Sequence, residues 1–219
     1  MVEEILPPVV VAVEAFDDPP GVPLFPEEEA VIRQAVEKRR REFTTARHCA
    51  RTALARLGLP PAPIVPGQRG APRWPAGVVG SMTHCAGYRA AALGHARELV
   101  TVGLDAEPHA ELPRDVLPAV SLPGERRRLG ELTAARPEIH WDRLLFSAKE
   151  SVYKAWFPLT GRWLGFAEAD VVFEPGTASF TARLLVDGPA VGGVRRGEFR
   201  GRYLVRDGLL VTAIAVLPG

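Results

Sequence analysis

Glu150 and Lys154 stand four residues apart in the stretch Phe146-Ser147-Ala148-Lys149-Glu150-Ser151-Val152-Tyr153-Lys154. On a helix that spacing points both side chains the same way. A carboxylate and an ammonium aimed at one spot suit a divalent metal and a phosphate lying side by side. Upstream, Val102-Gly103-Leu104-Asp105-Ala106-Glu107 sets two more carboxylates at strand spacing, where residues two apart share a face. Mg²⁺ prefers oxygen ligands and keeps several waters, so a few carboxylates plus substrate phosphate oxygens fill its shell. Asp105, Glu107 and Glu150 are therefore the candidate metal ligands, with Lys154 beside them. The plainer alternative makes Asp105 and Glu107 a polar strand end before Pro108, and Glu150–Lys154 a surface ion pair contributing only about 0.3–0.5 kcal/mol. Phe146, Val152, Tyr153 and Trp156 make that helix too apolar to lie free in solvent.

A phosphate also needs cations. Arg39, Phe43, Arg47 and Arg51 recur every fourth residue and so form one helical stripe. Guanidinium groups bind phosphate bidentately and stay charged when partly buried. Ser81-Met82-Thr83-His84 ends a strand with hydroxyls and an imidazole, and Thr83 with His84 can donate to a phosphate. Gly67-Gln68-Arg69-Gly70 is a flexible basic loop able to fold over a nucleotide. No P-loop, dinucleotide fingerprint or nucleophile elbow occurs in the chain.

These residues must be carried by defined elements. Val9–Phe16 reads as a short buried strand. A long helical pattern runs from about Glu27 to Leu57 and stops at Gly58 and Pro60. Three strands are expected at Val78–His84, Arg89–Gly94 and Leu99–Glu107. A second strong helix covers Trp141 to Leu159, broken near Pro158. Strands follow at Asp170–Phe173, Phe180–Val186, Phe199–Arg206 and Leu209–Val216, the last two joined through an Asp207-Gly208 turn. Shifting the chain by 103 residues lays Phe43-Thr44 on Phe146-Ser147, Arg47 on Glu150 and Arg51 on Lys154. The expectation is an α/β (α+β) fold made by pseudo-twofold duplication, with halves at 1–103 and 104–219. The site would lie at the seam between them.

Composition narrows the partners. The net charge is +1, so a bulk-basic nucleic-acid binder is excluded and any anion must be met by a local patch. Cys49 and Cys85 have neither metal-ligand spacing nor the density of a disulfide scaffold. The N-terminus is acidic where a signal peptide would be basic, and Val9–Val13 is too short to span a bilayer. A cytoplasmic protein without a membrane partner is expected.

Taken in order, the motifs resemble those of the 4′-phosphopantetheinyl transferases, of the Sfp/EntD type and its actinobacterial branch. The likeness rests on Val102–Glu107 with Phe146–Lys154, on Phe43–Arg51, on Trp74-Pro75 through Gly80–Cys85, and on Trp156–Thr160 with Arg162–Phe166. It spans residues 27 to 175. The resemblance implies a monomeric pseudo-dimer with coenzyme A and Mg²⁺ held in the cleft, and the oxygen donors would also accept Mn²⁺. It implies transfer of 4′-phosphopantetheine from coenzyme A to a serine of an apo acyl or peptidyl carrier protein, releasing adenosine 3′,5′-bisphosphate.

By motif position, Asp105, Glu107 and Glu150 would ligate the metal. Coenzyme A would be held by Arg39, Arg47, Arg51, Arg69, Thr83, His84, Asp105, Lys149 and Lys154. Glu150 and Lys154 would be catalytic, Glu150 taking the serine proton directly or through a metal-bound water. Arg114, Val116 and Leu117, with Arg126, Arg127 and Arg128, are the expected docking surface for an acidic carrier. Two other readings suit the same acidic set: a Mg²⁺-dependent nuclease or phosphodiesterase, and a catalytically silent coenzyme A sensor.

Overall fold

Two helices of 20 residues, each packed on its own antiparallel sheet, carry the residues singled out above. In the computed structural model, which describes residues 1–218, the order is β1 (Val11–Ala15), α1 (Pro26–Ile32), α2 (Glu37–Arg56), β2 (Val78–Cys85), β3 (Tyr88–His95) and β4 (Thr101–Pro108). Then come α3 (Val116–Val120), α4 (Pro123–Ala135), α5 (Trp141–Thr160), β5 (Ala169–Glu174) and β6 (Ser179–Leu184). The short pair β7 (Ala190–Val191) and β8 (Val194–Arg195) precedes β9 (Glu198–Arg206) and β10 (Leu209–Val216). Among these residues no helix is long and apolar enough to cross a membrane.

The first sheet has the order β1-β3-β2 and the second β4-β10-β9-β6-β5, with all pairings antiparallel. Helix α2 buries Cys49, Ala50, Ala53 and Leu54 against Ala91 and Leu93 of β3. Helix α5 buries Leu144, Leu145, Ala148, Val152 and Trp156 in the core of the larger sheet. The two sheets meet where β2 runs alongside β4. There the ladder is not backbone to backbone: Leu104 N–H donates to Ser81 Oγ (3.0 Å) and Ala106 N–H donates to Thr83 Oγ1 (3.1 Å). Side-chain hydroxyls satisfy strand N–H groups that a normal ladder would pair with carbonyls. The sheets therefore stay separate along a seam beside which a cleft opens.

Several expectations need adjusting. The helix read from Glu27 to Leu57 is two helices, because the chain breaks after Ile32. Arg40 Nη1 donates to the Ile32 carbonyl (2.7 Å), satisfying an acceptor that the break leaves open. Helix α5 runs through Pro158 to Thr160 and stops at Gly161, whose φ of 63° allows its N–H to reach Phe157 O at 2.8 Å. The Asp207-Gly208 turn has positive φ at both residues, as a tight hairpin of this twist requires. The divide expected at 103/104 falls inside β4, which belongs wholly to the larger sheet.

Candidate active site

Helix α5 is pressed onto β4 more closely than a side chain at residue 103 would allow. A Cβ on Gly103 would lie 1.9 Å from Ser151 O and 2.8 Å from Ala155 N. Thr101 Oγ1 donates to Ala155 O (2.8 Å), and Thr212 Oγ1 donates to Ser147 O (2.9 Å), pinning the same helix to β4 and β10. This close approach brings Lys154 onto the end of β4. Its Nζ donates to Asp105 Oδ1 (2.7 Å) and to Leu104 O (3.0 Å). Thr83 Oγ1 donates to the same Oδ1 at 3.3 Å. Asp105 thus joins β2, β4 and α5 at one carboxylate, 5% exposed, whose Oδ2 is buried with no partner among the described residues. An orphaned buried carboxylate oxygen is costly unless something else meets it.

Two cavities flank this point and share Gly70, Pro72 and Met82 as a common wall. One, of about 350 Å³, has Arg39, Phe43, Arg47, Thr83 and His84 in its lining. Arg39 Nη1 donates to His84 Nε2 at 2.5 Å, so the imidazole accepts and is neutral in that contact. Burial lowers the His84 pKa below its ordinary 6.5, and Arg39 lowers it further. Arg47 lies over the Phe43 ring, 3.3 Å to the centroid, and spends its Nε on Ile64 O (3.1 Å). Burial brings its pKa down to about 10, still a cation at neutral pH. The other cavity, about 490 Å³, is largely apolar, with Trp74, Val79, Met82, Phe157 and Leu159 around Glu150 and Lys154. Trp74 covers Gly80 there, at a contact that a Cβ on residue 80 would destroy.

Glu150 faces this cavity and a smaller one of about 200 Å³ beside Tyr153 and Trp163. Burial, then the Asp105 charge, raises its pKa above the usual carboxylate range. Glu107 is raised by the same two causes, in that order, while Arg143 opposes them. Arg69 stands at the mouth in a left-handed conformation (φ 53°), with its guanidinium over the Trp163 ring at 5.3 Å.

Not every expected residue arrives. Arg51 faces away from the cavities: its Nη1 donates to both oxygens of buried Glu28 (3.1 and 2.8 Å) and its Nη2 to Pro23 O (2.7 Å). It locks α1 to α2 and has little left for a ligand. Lys149 is likewise withdrawn, 3% exposed, with its ammonium on Phe166 O, Ala169 O and Glu125 Oε2 at 2.6, 3.0 and 2.8 Å. Three acceptors use its three N–H donors, so it is a structural tie and not a phosphate ligand. The three acidic residues are not gathered at one point either. Among the described residues no three His, Cys, Asp or Glu side chains form a group able to hold a metal by themselves. Glu107 is instead held by Arg143, which the spacing did not flag: Arg143 Nη1 donates to Glu107 Oε2 at 3.1 Å.

Tyr153, whose buried hydroxyl has no partner among the described residues, was also not singled out as a site residue. A signal for both lay in the apolar helix itself, where an arginine and a phenol are conspicuous. On the expected docking surface Arg114 is exposed, while Val116 and Leu117 of α3 are half-buried. Of the run 126–128, Arg126 bonds Ser121, and Arg128 is tied to Asp170 and to Val171 O (3.0 Å).

The arrangement offers cations for a polyanion on one side, an apolar cavity on the other, and acidic oxygens between. The chain also resembles characterised proteins. A family model described as "4'-phosphopantetheinyl transferase N-terminal domain" matches residues 27–94, and one described as "4'-phosphopantetheinyl transferase superfamily" matches residues 101–198. The chain is 58% identical over 219 residues to 4'-phosphopantetheinyl transferase Svp of Streptomyces mobaraensis, covering 99% of this chain and 89% of that protein. It is 52% identical over 207 residues to 4'-phosphopantetheinyl transferase PptT of Mycobacterium tuberculosis, covering 93% and 90% respectively. Enterobactin synthase component D of Salmonella typhi is 34% identical over 126 residues, 57% of this chain and 51% of that one.

Proposed function

Because the chain belongs to the 4′-phosphopantetheinyl transferases, we propose that it moves the 4′-phosphopantetheine arm of coenzyme A onto a serine of an apo acyl or peptidyl carrier protein. The observation that carries this reading is Asp105, held between Thr83 of β2 and Lys154 of α5 where a cation-lined and an apolar cavity adjoin. A nucleotide phosphate suits Arg39, Arg47, Thr83 and His84. A pantetheine arm, mostly apolar with two amides, suits the apolar space around Glu150. The phosphodiesterase reading has no comparable support, since a nuclease needs no such apolar cavity and the chain has a net charge of only +1.

The donor set fits Mg²⁺ or Mn²⁺. Asp105 Oδ2 is buried and unpaired, Glu150 shares its neighbourhood closely enough for Asp105 to raise its pKa, and all the donors are hard oxygens. Asp105 and Glu150 would hold the ion, with Glu107 completing the set and substrate phosphate oxygens supplying the rest. The bound ion would neutralise charge on the pyrophosphate. Lys154, anchored by two of its three N–H donors, keeps one for a phosphate oxygen. Glu150 accepts the serine proton as Oγ attacks the β-phosphorus. The bond from that phosphorus to the bridging oxygen breaks, and adenosine 3′,5′-bisphosphate leaves. We place the reaction in the cytoplasm and in a monomer whose two similar α/β halves, the second beginning with β4, form the cleft walls. Arg114, Val116 and Leu117 face the carrier.

The test is direct. Incubation with coenzyme A, Mg²⁺ and an apo carrier domain should add the mass of one phosphopantetheine arm to the carrier serine. An unmodified carrier, or consumption of coenzyme A without one, would refute the reading.

Binding should also depend on pH through His84. The free imidazole has a pKa held below 6.5, so it is neutral at pH 7. A phosphate beside it favours the imidazolium, so binding takes up a proton and tightens as pH falls from 7 toward the free pKa. The gain is at most about tenfold per pH unit and ends below that pKa. Calorimetric titration of adenosine 3′,5′-bisphosphate into wild type and His84→Gln should show this slope in the wild type alone. Parallel pH profiles would remove His84 from the phosphate site.

A further inference from the structure

Arg143 lies in the first turn of α5, where a cation opposes the helix dipole and needs some other reason to be there. All three of its guanidinium nitrogens are spent on the segment that leaves β4. Nη1 donates to Glu107 Oε2 (3.1 Å), Nε to Ala110 O (3.3 Å) and Nη2 to Glu111 O (2.7 Å). Its neighbour Asp142 accepts from Leu112 N–H at 2.9 Å through Oδ2. One helix turn therefore grips both an acidic site residue and the connection that runs on to Arg114 and α3. Glu107 Oε1 is left without a hydrogen bond among the described residues, on a carboxylate whose other oxygen is fixed.

The geometry points to Arg143 as a positioning residue that holds Glu107 in reach of the metal and, through the same guanidinium, sets the loop 108–114 on the carrier-facing side. This rests on the metal and carrier roles proposed above. Arg143 touches no reacting atom in this arrangement. Its effect passes through Glu107, because a carboxylate with one oxygen anchored offers the other in a fixed direction. Outer partners of metal ligands commonly govern affinity in this way.

The loop part follows from donor geometry. A guanidinium can satisfy a carboxylate and two carbonyls at once, whereas a lysine ammonium is a point charge that cannot reproduce that fork. The two functions of Arg143 are therefore separable by substitution. Arg143→Ala should lose both, and Arg143→Lys should keep the charge beside Glu107 while releasing the loop.

Mn²⁺ titrated by electron paramagnetic resonance, with saturating coenzyme A and no carrier, reads the first function. Limited proteolysis of 108–114 and the carrier KM read the second. Mn²⁺ affinity should fall on the order of tenfold in R143A and return to near the wild-type value in R143K. Loop cleavage and the carrier KM should rise in both. Wild-type Mn²⁺ affinity in R143A overturns the role, and so does loop cleavage no faster than wild type in R143K, a measurement that still decides if R143A does not fold. The Mn²⁺ comparison stands whether or not the wild type transfers an arm, so a failed transfer assay counts against the reaction and not against Arg143.

Discussion

Glu150→Gln should bind coenzyme A within about twofold of wild type yet transfer its arm some hundred- to ten-thousandfold more slowly, the range set by loss of a positioned general base. The amide keeps the size of the carboxyl group and its place on α5. What disappears is the negative charge and the capacity to accept the serine proton. Coenzyme A binding is expected to survive because its cationic contacts, Arg39 and Arg47, lie with His84 around the neighbouring cavity. Calorimetry with coenzyme A and no added divalent cation isolates that binding, and carrier mass spectrometry measures transfer. Wild-type turnover in E150Q would remove Glu150 from the chemistry. Loss of coenzyme A binding without metal would instead assign it a binding role.

Gly103→Ala should destabilise the fold and displace the helix that carries Glu150 and Lys154. The added methyl group would meet Ser151 O at 1.9 Å and Ala155 N at 2.8 Å, both backbone atoms that no rotamer change can clear. Helix α5 must then move off β4. The hydroxyl contacts from Thr101 and Thr212 resist that motion and would be lost with it. Overpacking of this kind destabilises by about 3 kcal/mol. Any folded fraction should also lose activity, because Glu150 and Lys154 ride on α5 while Asp105 stays on β4. A displacement near an ångström can cost on the order of a hundredfold in rate. Gly130, in α4 with nothing within 4 Å of an added Cβ, supplies the control. Its replacement by alanine should stabilise by about 0.5–1 kcal/mol through helix propensity. Urea unfolding of both variants decides the matter: equal midpoints for G103A and wild type would mean that the close contact carries no such cost.

The distinction between Arg47 and Arg51 shows where sequence reading stops. Both lie on the same four-residue stripe of α2, and both are arginines that a phosphate would suit. Only Arg47 reaches a cavity. Arg51 meets Glu28, a residue 23 positions earlier, whose carboxylate also accepts from Ile64 N–H and Phe25 N–H. Helical periodicity reports which residues share a face, but not which part of that face another segment covers. Lys149 teaches the same lesson on α5. Adjacent to Glu150, it lies about 100° around the helix and its ammonium is taken up by Glu125 and two backbone carbonyls.

Local patterns were sufficient for much else. Spacings of four and of two, with stops read at Gly58 and near Pro158 and a turn at Asp207-Gly208, determined that long helices and strands carry the acidic and basic motifs. They also placed Glu150 beside Lys154 and Asp105 beside Glu107, since those relations are set by the geometry of one helix and one strand. Relations across elements were decided only by the folded chain. The hydroxyl-mediated seam of Ser81 and Thr83, the anchoring of Glu107 by Arg143, and the unpaired Oδ2 of Asp105 all depend on how closely distant segments pack. That closeness is set by side-chain volume summed over the whole core. Gly103, a residue with no chemistry of its own, is where it shows most directly.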